Sequence, residues 1–268
     1  MFLFFLFGLA IGSFLNVVIN RTESGEDVVS EPSHCPECGK KLHWYELVPL
    51  FSFAVQIGKC RGCGQRISSQ YPLVELFTGV FFALAYSTLF SSAAVFGADF
   101  LTLLKFGWLL LAVCFFIIIF VYDFKTYIIP DRFVYPAIAL AFIYNAAVHF
   151  LRPCDFSLAC PVWNDFFAAG LGFGFFFFLI VLSRGRWMGG GDAKLVIFMG
   201  LVLGWPKILA ALFLAFFVGS IVGLTLIATR KKGLQSQIPF GPLLAGASLI
   251  VMFFGEGLIN WYLGLLGF

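Results

Sequence analysis

The chain has 268 residues, of which 61% are hydrophobic and only 12% charged, with 37 phenylalanines and a formal net charge of +3. This composition excludes an ordinary water-soluble domain, in which charged residues make up about a quarter of the chain. A net charge this small gives no ground for a nucleic-acid partner.

The apolar residues fall in long uncharged runs, each close to the roughly 20 residues that a bilayer-spanning helix needs. They predict an all-α polytopic membrane protein with about eight transmembrane helices: Phe2 to Ile19, Pro72 to Ala94, Phe106 to Tyr122, Phe133 to Leu151, Phe166 to Ser183, Leu195 to Gly204, Ile208 to Ala228 and Phe240 to Leu266. The sixth is short. Met1 to Ile19 has no basic start and runs into Asn20-Arg21 instead of a small-residue cleavage site, so it counts as the first span and not as a secretory signal.

Basic residues set the orientation, because cytoplasmic loops carry the excess of Lys and Arg. Arg21, Lys40, Lys41, Lys59, Arg61, Arg66, Lys125, Arg132, Arg184, Arg186, Lys194, Arg230, Lys231 and Lys232 lie on one side, and only Lys105, Arg152 and Lys207 on the other, so the 17 basic residues divide fourteen to three. That asymmetry places both termini outside and the loops after spans one, three, five and seven in the cytoplasm.

Three regions follow: residues 1–19 as the first helix, 20–71 as a long cytoplasmic loop, and 72–268 as the main bundle. The loop carries Cys35-Pro-Glu-Cys38 and Cys60-Arg-Gly-Cys63, with 21 residues (39–59) between the pairs. Two such knuckles can close a tetrahedral four-thiolate shell of the kind that holds a structural zinc. The bland alternative is a pair of disulfides or four unrelated thiols, and disulfides are rare in a cytoplasmic loop. His34 and His43 flank the first knuckle and read as solvated rather than as ligands. Glu23, Glu26, Asp27, Glu31, Glu37 and Glu46 offset the six basic residues of the loop, so no basic stripe for nucleic acid emerges. Between the knuckles, Trp44 to Ile57 is mostly apolar yet too short to span. It reads as an interfacial or buried segment that ties the loop to the membrane. Cys114 reads as inert packing, and Cys154 and Cys160 lie in an outer loop where a disulfide between them is permitted.

Acidic residues at a helix centre cost about 2.5–3.5 kcal/mol on insertion, so each one beside a span calls for a reason. Asp123 directly follows the apolar run Leu109 to Tyr122, and Asp192 sits in Met188-Gly-Gly-Gly-Asp192-Ala-Lys194 just before the sixth span. Two converging carboxylates can share a proton, one taking a proton from water while the other protonates a carbonyl, which is aspartic-protease chemistry. Gly189, Gly190 and Gly191 remove every Cβ from the approach to Asp192. The competing reading makes Asp192 a helix cap and the glycines a turn, and the residues alone balance the two. Asp131, in Ile129-Pro130-Asp131, competes with Asp123 but is expected to cap the fourth span. Glu75, one turn into the second span, is expected to be structural, and Glu256 interfacial.

The ordered set of motifs resembles a known family, the type IV prepilin leader peptidases, membrane aspartic proteases with a Gly-x-Gly-Asp motif. The set runs nearly end to end: Gly12-Ser-Phe-Leu-Asn16-Val, both cysteine knuckles, Tyr71-Pro-Leu-Val-Glu75, Tyr122-Asp123, Ile129-Pro-Asp131, Gly189-Gly190-Gly191-Asp192-Ala-Lys194 and Ile238-Pro-Phe-Gly-Pro242. The resemblance implies that Asp123 and Asp192 are a catalytic dyad, with the three glycines and Lys194 shaping the site. It further implies cleavage of the leader from prepilins and pseudopilins at the cytoplasmic face of the bacterial inner membrane. N-methylation of the new N-terminus with S-adenosylmethionine is associated in the family with the cysteine-bearing region, and no glycine-rich fingerprint there assigns residues to the methyl donor. A departure is Thr22-Glu23 after Asn20-Arg21, where the family often continues toward a proline.

Two other classes compete: an ion-coupled transporter, which would show duplicated halves that this sequence lacks, and a non-catalytic assembly factor docking through the cysteine loop. An intramembrane protease of the presenilin type shares the Gly-x-Gly-Asp motif but lacks the knuckles.

Overall fold

The computed structural model describes residues 1–27, 32–90, 98–186, 188–229 and 239–265. Glu31, Arg230, Lys231, Lys232, Ile238 and Leu266, used in the sequence readings above, lie outside the described residues, as do positions 91–94 of the second expected span. The helices in chain order are α1 Phe2–Ser24, α2 Phe51–Val55, α3 Gln70–Leu89, α4 Phe100–Thr126, α5 Asp131–Leu151, α6 Pro161–Ser183, α7 Gly190–Leu203, α8 Lys207–Ala228 and α9 Gly241–Leu265. The expected all-helical membrane class is what the structure shows. Seven of the helices, all but α2 and α7, are long and apolar enough to cross a bilayer. Helices meet this demand because they satisfy their own backbone hydrogen bonds where no water is available.

The chain divides into two compact units, Met1–Cys114 and Phe115–Phe268, with the boundary inside α4. In the first, α1 packs along α3. The contact is set by Gly8 and Gly12, four residues apart on one face of α1: a Cβ at Gly8 would lie 2.7 Å from Gly79 Cα, and one at Gly12 2.7 Å from Glu75 Cα. In lipid no hydrophobic force draws helices together, so close backbone approach through small residues supplies the dispersion energy instead. Polar groups then fix the register. Asn16 donates to the Tyr71 carbonyl (3.1 Å) and accepts from Gln70 (3.2 Å), and Asn20 donates to the Tyr71 hydroxyl (2.9 Å).

The cysteine loop between α1 and α3 is built from two similar turns. The Cys35 amide donates to the Lys40 carbonyl and the Gly39 amide to the Cys35 carbonyl, and Cys60, Gln65 and Gly64 repeat the pattern. Gly39 and Gly64 occupy the left-handed region at φ 69° and 74°, the conformation that turns each knuckle back on itself and that other residues resist. Glu75 is structural, as expected: its buried carboxylate accepts from the Leu50 amide (2.8 Å) and from Ser13.

In the second unit α7 packs against α5, α6, α8 and α9, and Phe198 on it meets Phe116 of α4. Eight of its fourteen residues are buried. The sixth of the eight expected spans falls on α7, which is not among the seven: fourteen residues rise about 21 Å, less than the roughly 30 Å of a bilayer core, and a helix surrounded by protein does not need to match lipid thickness. It still reaches from Asp192 at one end to Leu201 at the other, where Asn145 of α5 donates to the Leu201 carbonyl (3.1 Å). Gly200 lies so close to Ala168 and Ala169 of α6 that no side chain fits between them. Outside the helices, Cys154 and Cys160 are joined in a disulfide. Glu256 extends its exposed carboxylate to Lys207 (2.8 Å).

Replacing Gly12 with leucine is expected to part α1 from α3 and to cost about 1–3 kcal/mol or more of overpacking. The check is thermal unfolding in detergent, with a fall of about 5 °C or more. Gly170→Ala, where a Cβ meets open space, should leave the transition where it is; equal effects of both would refute the close-contact account.

Candidate active site and cysteine cluster

The end of α4 carries Asp123, whose side chain is buried with the residue only 2% exposed. Its carboxylate takes the Gly241 amide, and it lies so close to Gly241 that a side chain on that residue would collide with it. Glycine at the first position of α9 is therefore what admits the carboxylate. Asp192 lies in the first turn of α7, half-buried, and accepts from the amide of Gly189, the residue just before the helix. Asp123 is near enough for its charge to bear on Asp192. The helix-capping alternative is thus present in part, since Asp192 does satisfy an N-terminal amide of α7 as acidic residues at that position do. Proximity to a second carboxylate is not something capping needs.

Ile129, in the turn between α4 and α5, packs its side chain against both Gly191 and Gly241: Cβ atoms placed there would lie 3.1 Å from its Cβ and 3.0 Å from its Cδ1. Its buried side chain therefore touches both backbone segments that carry the carboxylates' amide partners. Gly190 faces open space, and a Cβ at Gly189 would meet little but the Asp192 carboxylate, so among the described residues no side chain crowds these two positions.

Asp131 does not cap α5. Pro130 is the cap residue and makes no side-chain bond there; Asp131, one residue further, accepts from Lys194 Nζ at 2.8 Å. Lys194 also lies over the Tyr135 ring, 4.8 Å from its centroid. The lysine thus reaches toward α5, joining the starts of α5 and α7. At 32% and 59% side-chain exposure such a pair adds little stability, up to about 1 kcal/mol, and its effect is to orient two helix ends.

Within the first unit, the sulfurs of Cys35, Cys38, Cys60 and Cys63 all lie within 4.8 Å of one another and could hold a metal ion. Neither His34 nor His43 joins this group: His34 Nδ1 lies 3.3 Å from the Pro32 carbonyl and His43 is exposed. The Cys60 thiol is lowered from its ordinary value to about 6, first by the Cys63 amide and then by the Gly62 amide, whose nitrogen is 3.3 Å from the sulfur. Amides aimed at sulfur favour thiolate, the form that binds metal. Nearby, Glu46 is held below the usual carboxylate range by the His43 amide and by Lys40, whose Nζ lies 3.0 Å away. A cavity of about 580 Å³ opens at the other end of α7, lined by residues such as Asn164, Asp165, Trp205 and Lys207. It contains none of these groups.

Residues 6–89 match the bacterial peptidase A24 N-terminal domain and residues 110–224 the type IV leader peptidase family. The chain is 32% identical over 261 residues to a prepilin leader peptidase/N-methyltransferase of Bacillus subtilis (strain 168), covering 97% of this chain and 96% of that protein. Proteins of the same name from Aeromonas hydrophila and Pseudomonas aeruginosa are 31% and 30% identical, over 97% and 98% of this chain and 93% of each relative. The chain belongs to the type IV leader peptidase family. No solved structure matches it.

Sequence reasoning assigned no role to Gly241 or Ile129 in this family member, although both stand in quoted motifs. The available signal was their position beside prolines, Ile129-Pro130 and Gly241-Pro242, at the entrances to α5 and α9.

Iodoacetamide labelling of metal-stripped protein, followed by mass spectrometry, tests the cysteine cluster. A lowered thiol is ionised above its value and protonated below it, so Cys60 should react with a midpoint near pH 6. A midpoint near the ordinary thiol value of about 8.5 would contradict the amide contacts.

Proposed function

We propose that this protein is a membrane aspartic endopeptidase that removes the leader from type IV prepilins and pseudopilins, with Asp123 and Asp192 as its catalytic pair. The observation that carries this reading is the approach of two carboxylates, one buried and one half-buried, at neighbouring helix ends, each taking a glycine amide. One carboxylate, ionised, takes a proton from a water molecule as the water oxygen attacks the scissile carbonyl carbon. The other, protonated, gives its proton to the carbonyl oxygen. Collapse of the tetrahedral intermediate breaks the C–N bond and returns a proton to the leaving amine, so that peptide and water become acid and amine. The pair titrates as a unit, and no single role is fixed to either member. The side-chain-free approach over Gly189 and Gly190 admits an extended peptide backbone, while Gly191, Ile129 and Lys194 hold the frame.

In this reading residues 20–71 form the cytoplasmic loop and 72–268 the proteolytic bundle, with both termini outside. The support for that orientation is the fourteen-to-three division of basic residues. The ion suited to four clustered thiols is zinc, closed to further ligands and hence structural. N-methylation of the product's N-terminus is carried by the relatives' names. S-adenosylmethionine, as methyl donor, would supply the methyl group to the free amine, and no residue is assigned to it.

Cleavage of a prepilin-type substrate by detergent-solubilised protein, followed by the N-terminal mass of the product, tests the pair. Asp123→Asn and Asp192→Asn should each lower the rate by about 10³-fold or more while the fold is kept. Gly241→Ala should also lose most activity, because its methyl group displaces Asp123. Full cleavage by either asparagine variant would overturn the aspartic mechanism.

A further inference from the structure

The segment between the cysteine knuckles exposes more large apolar surface than a water-facing loop tolerates: Trp44 is 79% exposed, Phe51 66%, Val55 50% and Ile57 83%. Single exposed apolar side chains need no explanation, but a cluster within fourteen residues does. Its depth is fixed by one hydrogen bond. The Leu50 amide donates to Glu75 Oε2 at 2.8 Å, and Glu75 stands five residues after Gln70, about 7.5 Å along the α3 axis. With 20 residues, α3 is about 30 Å long, the thickness of a bilayer's hydrocarbon core, so its first residue lies at the boundary. A span that fills the core from its first residue would hold Leu50 below that boundary, at the depth of about 5–10 Å where amphipathic segments bury their apolar face.

Charge complements this placement. The other acidic residues of the loop lie before the knuckles, at 23–31, while residues 32–67 carry Lys40, Lys41, Lys59, Arg61 and Arg66 against Glu37 and Glu46, five minus two, a net +3. Glu46 is buried and satisfied by Lys40. Lys41, Lys59, Arg61 and Arg66 are exposed on the knuckles that flank the apolar segment, where the headgroups of an anionic leaflet would meet them.

We propose that Trp44, Leu47, Phe51, Val55 and Ile57 form an interfacial anchor that seats the cysteine-bearing loop in a bilayer of anionic phospholipid, at a depth set by the Leu50–Glu75 bond. The anchor holds the cluster of four cysteines at the membrane surface, instead of leaving it on a free tether. It does not depend on the chemistry of the aspartate pair.

The experiment uses the full-length protein in lipid nanodiscs of phosphatidylglycerol brominated near the headgroup. Trp44 emission is isolated as the difference between wild type and Trp44→Phe. Bromine should quench about half or more of that emission relative to unbrominated discs, as expected for an indole at the interface, and quench it less in brominated phosphatidylcholine. The double variant Phe51→Glu/Ile57→Glu should retain the wild-type metal content, showing an intact loop, and lose the quenching. Equal emission in brominated and plain discs would overturn the anchor, and equal quenching in both lipids would overturn the anionic preference. If Trp44 were unquenched by lipid but became shielded on adding a prepilin-type peptide, the surface would belong to the substrate and the proposal would fail.

Discussion

Carboxylates withdrawn from water lose hydration, and accommodating Asp123 and Asp192 at neighbouring helix ends is a constraint on the second unit. Asp123 is placed by α4 and Asp192 by α7, and neither helix could hold the pair alone. Amide donors from Gly241 and Gly189 compensate each carboxylate for lost hydration. Ile129 fills the space against Gly191 and Gly241, so that both backbone segments press on one side chain. Burial of α7 from Ala193 onward anchors the helix whose first turn carries Asp192, and the Lys194–Asp131 pair joins that turn to α5.

Glycine appears at each place where this arrangement needs backbone to meet backbone or carboxylate. Gly8 and Gly12 let α1 touch α3, Gly200 lets α7 touch α6, and Gly241 leaves room for Asp123. The shared reason is that a bilayer offers no hydrophobic gain for helix association, so contact must come from close packing and from polar groups satisfied inside the protein. Asn145 on the Leu201 carbonyl and Asn16 on the Tyr71 carbonyl are polar contacts of that kind.

The first unit solves a different problem. Fewer than fifty residues between α1 and α3 cannot build an apolar core of their own, and four clustered thiols offer a metal ion as a substitute for one. Glu75 turns this loop into part of the membrane structure. An acidic residue inside a span is costly unless its hydrogen bonds are met, and meeting them with the Leu50 amide and with Ser13 links loop, α1 and α3.

Membrane class, most of the spans, the four-cysteine cluster and both acidic residues were legible in the sequence, because each depends on local composition or spacing. Hydropathy over about 20 residues reports a helix in lipid whatever its neighbours, and Cys-x-x-Cys geometry is set within four residues. The length of the sixth span was less legible, since a helix enclosed by protein is released from the bilayer's thickness. Asp131 read as a cap and is the partner of Lys194, because the choice between a local and a distant partner lies in how α5 and α7 pack. Gly241 and Ile129 stood in recognisable motifs without a role for the same reason: what a glycine or an isoleucine excludes or supports is known only once the facing residue is known. The sequence by itself determined the helices, the thiols and the two carboxylates. Tertiary structure alone decided which residues surround each carboxylate, since Gly241 beside Asp123 and Ile129 against Gly191 and Gly241 are contacts between segments far apart in the chain.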